Sequence, residues 1–165
     1  PYTNQTGIFK TYNISGAAFM IKTQLFEQLG FFDEYYFFCP EDIALSTVLN
    51  KLGYFCYVNA SAEVIHFEGA SGGKHISQIQ TATMPAGEKG TIRFLAGSSS
   101  VSYILLTCFT CIMASLRSLK YRLKSKTSGD NASIISKANR NVAAALLTKK
   151  TPKETFVKYY GRIKR

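Results

Sequence analysis

The 165-residue chain has no tryptophan, four prolines, four cysteines and two histidines. Each shortage excludes something. Four scattered cysteines cannot staple a small secreted fold, and their scarcity fits a reducing compartment. Cys108 and Cys111 form a C-x-x-C within TCFTCIM, but no second pair and no histidine stands nearby to complete a zinc site, so packing is their expected role. There is no Asp-x-Asp triplet, no Gly-Lys-Ser/Thr phosphate loop and no internal repeat. The opening PYTNQTG carries no initiator methionine and neither the basic nor the apolar region of a leader, which reads as a piece of something longer or a processed product.

Acid is also scarce, but only in one half. Residues 1–88 hold 4 Lys/Arg and 8 Asp/Glu, whereas residues 89–165 hold 16 and 2, giving net charges of −4 and +14. This asymmetry implies an acidic functional part followed by a basic part that meets an anionic surface, phospholipid or nucleic acid, with a merely solvated basic tail as the plain alternative.

Along the first part, ISGAAFMIK (14–22) reads as a buried strand entered through small residues. Thr23 N-caps a short helix that Gly30 stops. Pro40 suits a helix start, so a helix is expected from about residue 40 to Leu52, with Ile43, Leu45, Val48, Leu49 and Leu52 on its apolar side and Gly53 ending it. YFCYV (54–58) and AEVIHF (62–67) read as strands around the turn at 59–61, and GASGGK as a flexible loop. Pro85 marks a change of character. Phe94 to Leu116 is uncharged, long enough to cross a bilayer at about 1.5 Å per residue, yet serines and threonines dilute it. An interfacial or partner-packed helix fits better than a span or a core helix, although a single span stays open. Arg117, Lys120, Arg122, Lys124 and Lys126 follow, as at anionic headgroups. After SGDN (128–131) come a last helical region and a basic end.

The candidate chemistry centres on FFDEYYFFCPEDIALS (31–46), where two acidic pairs flank a run rich in aromatics. Glu41 and Asp42 fall in the first helical turn, where the dipole favours carboxylates; such a group can take a proton from a hydroxyl, hold an amine or a metal, or simply cap the helix. Asp33 and Glu34 read as an acidic turn. His66 ends a strand and could ligate a divalent ion or donate to a phosphate, or be an ordinary bonded histidine. Ser71, Gly72, Gly73 and Lys74 could wrap a phosphate with backbone N–H groups.

Taken in order, Gly-Ala-Ala, Gly-x-Phe-Asp-Glu, the aromatic run into Glu-Asp, Leu-Gly-Tyr, and a strand ending in His before a Gly-x-Ser loop resemble residues of inverting family 2 glycosyltransferases. The likeness is to the C-terminal half of the catalytic domain, in the bacterial rhamnosyltransferase-like branch, and it covers residues 15–73. The resemblance implies an α/β fold: the C-terminal half of a glycosyltransferase A, Rossmann-like domain over 1–88, then a mainly helical, basic region over 89–165, with membrane association open. It implies Asp42 as catalytic base with Glu41 beside it, and Gly16 and Ala17 lining the sugar pocket. Tyr36 and Phe38 would offer apolar faces to sugar rings, unless they merely pack the loop, with Ser71 as a further substrate contact. His66 would stand near a divalent metal, magnesium or manganese, shared with an N-terminal half that this chain lacks.

The implied partners are a nucleotide-sugar donor, a glycan or lipid-linked acceptor and an anionic membrane surface, with no nucleic acid. The implied setting is peripheral, at the cytoplasmic membrane, in polysaccharide or cell-wall synthesis. The isolated chain would be an incomplete, inactive enzyme. The rival is a noncatalytic α/β module whose basic tail binds anionic membrane or nucleic acid; an inactive transferase-like subunit is the third reading.

Overall fold

The computed structural model describes residues 5–66, 76–128 and 130–163. They fall into two units. One takes the described residues up to Glu34 and those from Pro40 to His66; the other takes Tyr35–Cys39 and the described residues from Ile76 onward.

The first unit contains strand β1 (Ile8–Thr11), helix α1 (Thr23–Gln28), helix α2 (Glu41–Lys51) and strand β2 (Cys56–Asn59). β1 and β2 pair antiparallel, with Ile8 opposite Asn59 and Thr11 opposite Cys56. Leu45, Leu49 and Cys56 are buried, and Ile14, Phe19, Ile21, Leu25, Phe26, Leu29 and Phe32 pack against them. Helix α2 lies within one residue of its expected ends. Gly30 and Gly53 have φ of +76° and +84°, the left-handed conformation that lets each stop the helix before it. The apolar side of α2 is narrower than expected, because Ile43, Val48 and Leu52 are exposed while Ser46 is fully buried.

The buried serine explains the main departure from the sequence reading. Residues 14–22 are not a strand: Gly16–Ala18 turn in the open, Met20 is fully exposed, and only Ile14, Phe19 and Ile21 reach the core. Their backbone is matched to a helix instead of a sheet. Asn50 Nδ2 donates to the Tyr12 carbonyl at 2.8 Å, the Ile14 N–H donates to Ser46 Oγ at 3.2 Å, and the Gly16 N–H donates to Asp42 Oδ2 at 2.9 Å. Alternate residues of the segment thus meet successive turns of α2 in antiparallel order. The spacing fits, because two extended residues advance about 6.6 Å and four helical residues about 6 Å. The expected second strand at 62–67 is also absent over its described residues; 62–66 are irregular and exposed, and the partner of β2 is β1.

The second unit is helical: α3 (Ile76–Ala96), α4 (Ser100–Ser128), α5 (Asp130–Leu146) and α6 (Pro152–Tyr160). The first part expected from sequence ran to residue 88, but residues 76–88 are the start of α3, which continues through Pro85. A proline inside a helix orphans the carbonyl four residues back, here that of Thr81. Asn141 of α5 supplies the missing donor, its Nδ2 lying 2.8 Å from the Thr81 carbonyl. A second tie runs from buried Lys89, whose ammonium donates to the Thr148 carbonyl at 2.8 Å. Burial holds the Lys89 pKa below the usual lysine range, with the charge of Glu154 opposing that shift. Helix α6, within the stretch expected only as a basic end, starts with a capping box between Thr151 and Glu154 and has Pro152 in its first turn.

Helix α4 turns its small residues toward α5. Ser118 Oγ donates to the Ser136 carbonyl at 3.0 Å, Ser136 Oγ returns a bond to the Ser118 carbonyl at 2.8 Å, and Ala114 is buried. The opposite side stays apolar and exposed, with Ile104, Phe109, Ile112 and Leu116 each more than half open. Ser100–Ser125 is long and apolar enough to cross a membrane, by length and composition.

If Asn141 repairs the gap left by Pro85, Asn141→Ala should lower unfolding stability by about 2 kcal/mol, the cost of a buried unpaired carbonyl. In a Pro85→Ala background, where a backbone N–H is restored, that loss should shrink. Urea titration of the two single variants and the double variant checks this; equal losses in both backgrounds would disconnect the two residues.

Candidate active site

Helix α2 begins at Glu41 directly after Pro40, whose missing N–H would have no helical partner there, and the next residues, Glu41 and Asp42, complement the positive end of the helix. Asp42 is half-buried, and both its carboxylate oxygens are held. Oδ2 accepts the Gly16 N–H at 2.9 Å, and Oδ1 accepts the Ile43 N–H at 2.8 Å. A carboxylate offers about four acceptor positions, so each oxygen keeps capacity for a further donor. Two residues singled out from sequence, Gly16 and Asp42, are thereby brought together from positions 26 apart.

Gly16 meets Asp42 closely. A Cβ built on it would lie 3.4 Å from Asp42 Oδ2 and 3.5 Å from Asp42 Cβ. Ala17, next in the turn, is exposed, and its N–H donates to Ser15 Oγ at 3.3 Å. Glu41 shares the first turn and is half-buried.

Two residues without a role in the sequence analysis, Ser46 and Asn50, fix this arrangement. Ser46 accepts the Ile14 N–H and donates to the Asp42 carbonyl at 2.7 Å, while Asn50 bridges the carbonyls of Tyr12 and Ser46 at 2.8 and 2.6 Å. The signal lies in polar residues at i, i+4 and i+8, positions 42, 46 and 50, which share one face of the helix.

Tyr36 and Phe38 belong to the helical unit, where both rings pack. Tyr36 meets Phe94 edge-on with centroids 6.3 Å apart; Phe38 stacks on Phe156 at 5.9 Å, and Phe156 in turn stacks on Tyr160 at 5.1 Å. The loop approaches α3 so closely that a Cβ on Gly87 would lie 2.9 Å from the Phe38 carbonyl oxygen. Phe38 and Cys39 carry φ of +79° and +89°. Consecutive left-handed conformations at residues other than glycine cost on the order of 1–3 kcal/mol each, and these two directly precede Pro40 and the acidic pair.

His66 is exposed at the end of the irregular stretch 62–66. Ser71 lies outside the described residues, as do Gly72, Gly73 and Lys74. Among the described residues no three His, Cys, Asp or Glu side chains come together as a metal site. On their own they do not fit a divalent ion.

This acid at a helix start, fixed by a backbone N–H from a small-residue turn, lies in a chain that resembles glycosyltransferases over about half its length. The similarity is to the N-acetylglucosaminyl-diphospho-decaprenol L-rhamnosyltransferases of Mycobacterium tuberculosis strains CDC 1551/Oshkosh and ATCC 25618/H37Rv. Each is 34% identical over 87 residues, covering 53% of this chain and 27% of the relative. The chain thus matches about a quarter of the length of these curated relatives. No protein-family model matches the chain, and no solved structure matches it.

Ser46→Ala should loosen the clasp by removing a buried acceptor from the Ile14 N–H. The expected loss is about 1–2 kcal/mol in urea unfolding, with helix content retained by circular dichroism. A loss below a few tenths of a kcal/mol would mean that the segment is held by its apolar contacts alone.

Proposed function

We propose that the chain supplies the acceptor side and the base of an inverting, nucleotide-sugar-dependent glycosyltransferase of the A fold. In this reading it works on a lipid-linked or polysaccharide acceptor at the cytoplasmic face of a membrane. The observation that carries the reading is the bond from the Gly16 N–H to the Asp42 carboxylate. It joins a residue that the family resemblance assigns to the sugar pocket with the one it assigns to proton removal. The similarity to rhamnosyltransferases supports the class. Their name specifies a diphospho-decaprenol acceptor, and a polyprenyl-diphosphate-linked sugar is the acceptor class taken here.

The chemistry is a single displacement. A free lone pair of Asp42 takes the proton of the acceptor hydroxyl; the freed oxygen forms a bond to the anomeric carbon, and the bond from that carbon to the nucleoside diphosphate breaks, the diphosphate leaving with the electron pair. The two backbone N–H groups on Asp42 fix the carboxylate's direction, so the base does not have to be ordered when the acceptor arrives. Glu41, one residue away in the same turn, would shape the acceptor pocket. A magnesium or manganese ion, in this reading, takes at most His66 from the described residues.

The same proposal gives α4 a task. Its exposed apolar side, followed by Arg117, Lys120, Arg122 and Lys124, would lie in the interface of an anionic membrane and keep the acceptor hydroxyl at hand.

In the intact protein that contains this chain, Asp42→Asn should reduce nucleoside diphosphate release by roughly 10²–10⁴-fold and leave the unfolding midpoint nearly unchanged, since an amide oxygen can still accept the Gly16 N–H. Retention of full activity would remove Asp42 as the base. The membrane role is checked by flotation: the chain should rise with phosphatidylglycerol vesicles, and Phe109→Glu with Ile112→Glu should leave it in the soluble fraction. Equal flotation of both proteins would put the contact elsewhere.

A further inference from the structure

Within the helical unit, α3, α5 and the end of α6 border a half-open pocket of about 450 Å³, whose polar lining includes Asn141, Tyr159, Lys158 and the exposed Lys137, Arg140 and Arg162. Four of these side chains are cations, and among the described residues no acid lines the pocket. The volume lies within the range of ligand pockets, roughly 300–1,000 Å³. The placement follows from the helices. Lys137, Arg140 and Asn141 stand at i, i+3 and i+4 and so share one face of α5, while Lys158 and Arg162 stand one turn apart across the α6 terminus.

Two features make the pocket an organised site. Asn141 is buried and fixed by its bond to the Thr81 carbonyl, which holds the floor between α3 and α5. Tyr159 is only 3% exposed and serves as an anchor for two of the cations: Lys158 Nζ is 5.2 Å and the Arg162 guanidinium carbon 5.5 Å from its ring centroid. Burial raises the Tyr159 pKa above the usual phenol range, against the opposing charge of Arg162. Like charges gathered without a counter-charge repel one another. A ligand that spreads several negative charges over several oxygens would relieve that repulsion and give both guanidinium groups the oxygen pairs they bind best.

We propose that this pocket is a binding site for a diphosphate or a comparably multivalent phosphate group. A single monoanionic headgroup would leave most of the four cations unpaired, whereas a diphosphate carries more charge and has enough oxygens to offer one to each. The group could belong to a lipid headgroup or to a soluble diphosphate. The proposal goes beyond the transferase reading, since it concerns a pocket lying wholly in the helical unit and its test reads binding without transfer.

The experiment uses inorganic pyrophosphate as the first probe, followed by calorimetry at low salt. Saturable binding is expected, weakened at least tenfold by Arg140→Gln with Arg162→Gln, and little changed by the charge-matched pair Lys149→Gln with Lys150→Gln. The second arm compares vesicles carrying a polyprenyl diphosphate with vesicles of equal charge made with phosphatidylserine. Preference for the first, lost on adding pyrophosphate, supports the site with a lipid source; pyrophosphate binding without that preference supports it with a soluble source. Absence of both, or equal weakening by the pocket pair and the control pair, overturns the proposal. Asp42→Asn should bind pyrophosphate as the parent does, which separates failure of this site from failure of the base.

Discussion

The first unit depends on one constraint: the backbone of residues 12–16 has to find its hydrogen-bond partners without a neighbouring strand. Backbone polar groups that leave water unpaired cost free energy comparable to a lost hydrogen bond. The segment meets this by lying against α2 and using the side chains of Asn50, Ser46 and Asp42, one per helical turn. The match works only because the repeat of an extended dipeptide and that of four helical residues nearly coincide. Its last rung has a further effect. The carboxylate that completes the ladder is the candidate base, so the contact that ends the segment's backbone pairing also sets the direction of the reactive group.

The helical unit solves related problems with the same kind of bond. Pro85 removes a donor from the middle of α3, and Asn141 returns one from α5. Lys89 reaches a carbonyl beyond the end of α5, and the two serines of the α4–α5 seam exchange bonds with each other's backbone. In both units, buried side chains such as Ser46, Lys89, Ser136 and Asn141 thus bond to backbone groups. That choice fixes which helix faces can touch, because each bond has one geometry, whereas apolar contacts alone would tolerate sliding.

How much of this was legible depended on whether a residue's partner was near in sequence. Helix α2 was readable because its start, its acidic first turn and its glycine stop are local signals, and the Gly16 and Asp42 assignments came from motif order. The fate of ISGAAFMIK was not readable: its apolar, small-residue pattern suits a strand, and only the long-range contact with Ser46 and Asn50 makes it something else. Pro85 misled for the same reason, since its compensating amide lies 56 positions away in sequence. Helix α6 is different. Thr151, Pro152 and Glu154 spell a capping box with proline in the first turn, a local signal present in the letters and hidden by the surrounding lysines. The packing of Tyr36 and Phe38 within the helical unit rested on Phe94, Phe156 and Gly87, none of which the sequence ties to them.

The geometry of α4 also bears on how the chain could meet a membrane. By length the helix could span, but its continuous apolar part, about residues 101–116, rises only about 24 Å against a hydrocarbon core of about 30 Å. A span would extend that part with Arg117, Lys120, Arg122 and Lys124 at one end. It would also have to take α5 with it, because α4 is joined to α5 through Ser118, Ser136 and Ala114, and α5 carries exposed Lys137 and Arg140. Each such charge at the bilayer centre costs on the order of 2.5–3.5 kcal/mol even on the mildest scale. Lying flat needs neither sacrifice: the leucine-rich side enters the interface, the seam with α5 stays out of the hydrocarbon, and the cations remain at the headgroups. Under the proposed membrane role, the division of α4 into a small-residue face and a large apolar face therefore favours a helix that rests on the membrane over one that crosses it.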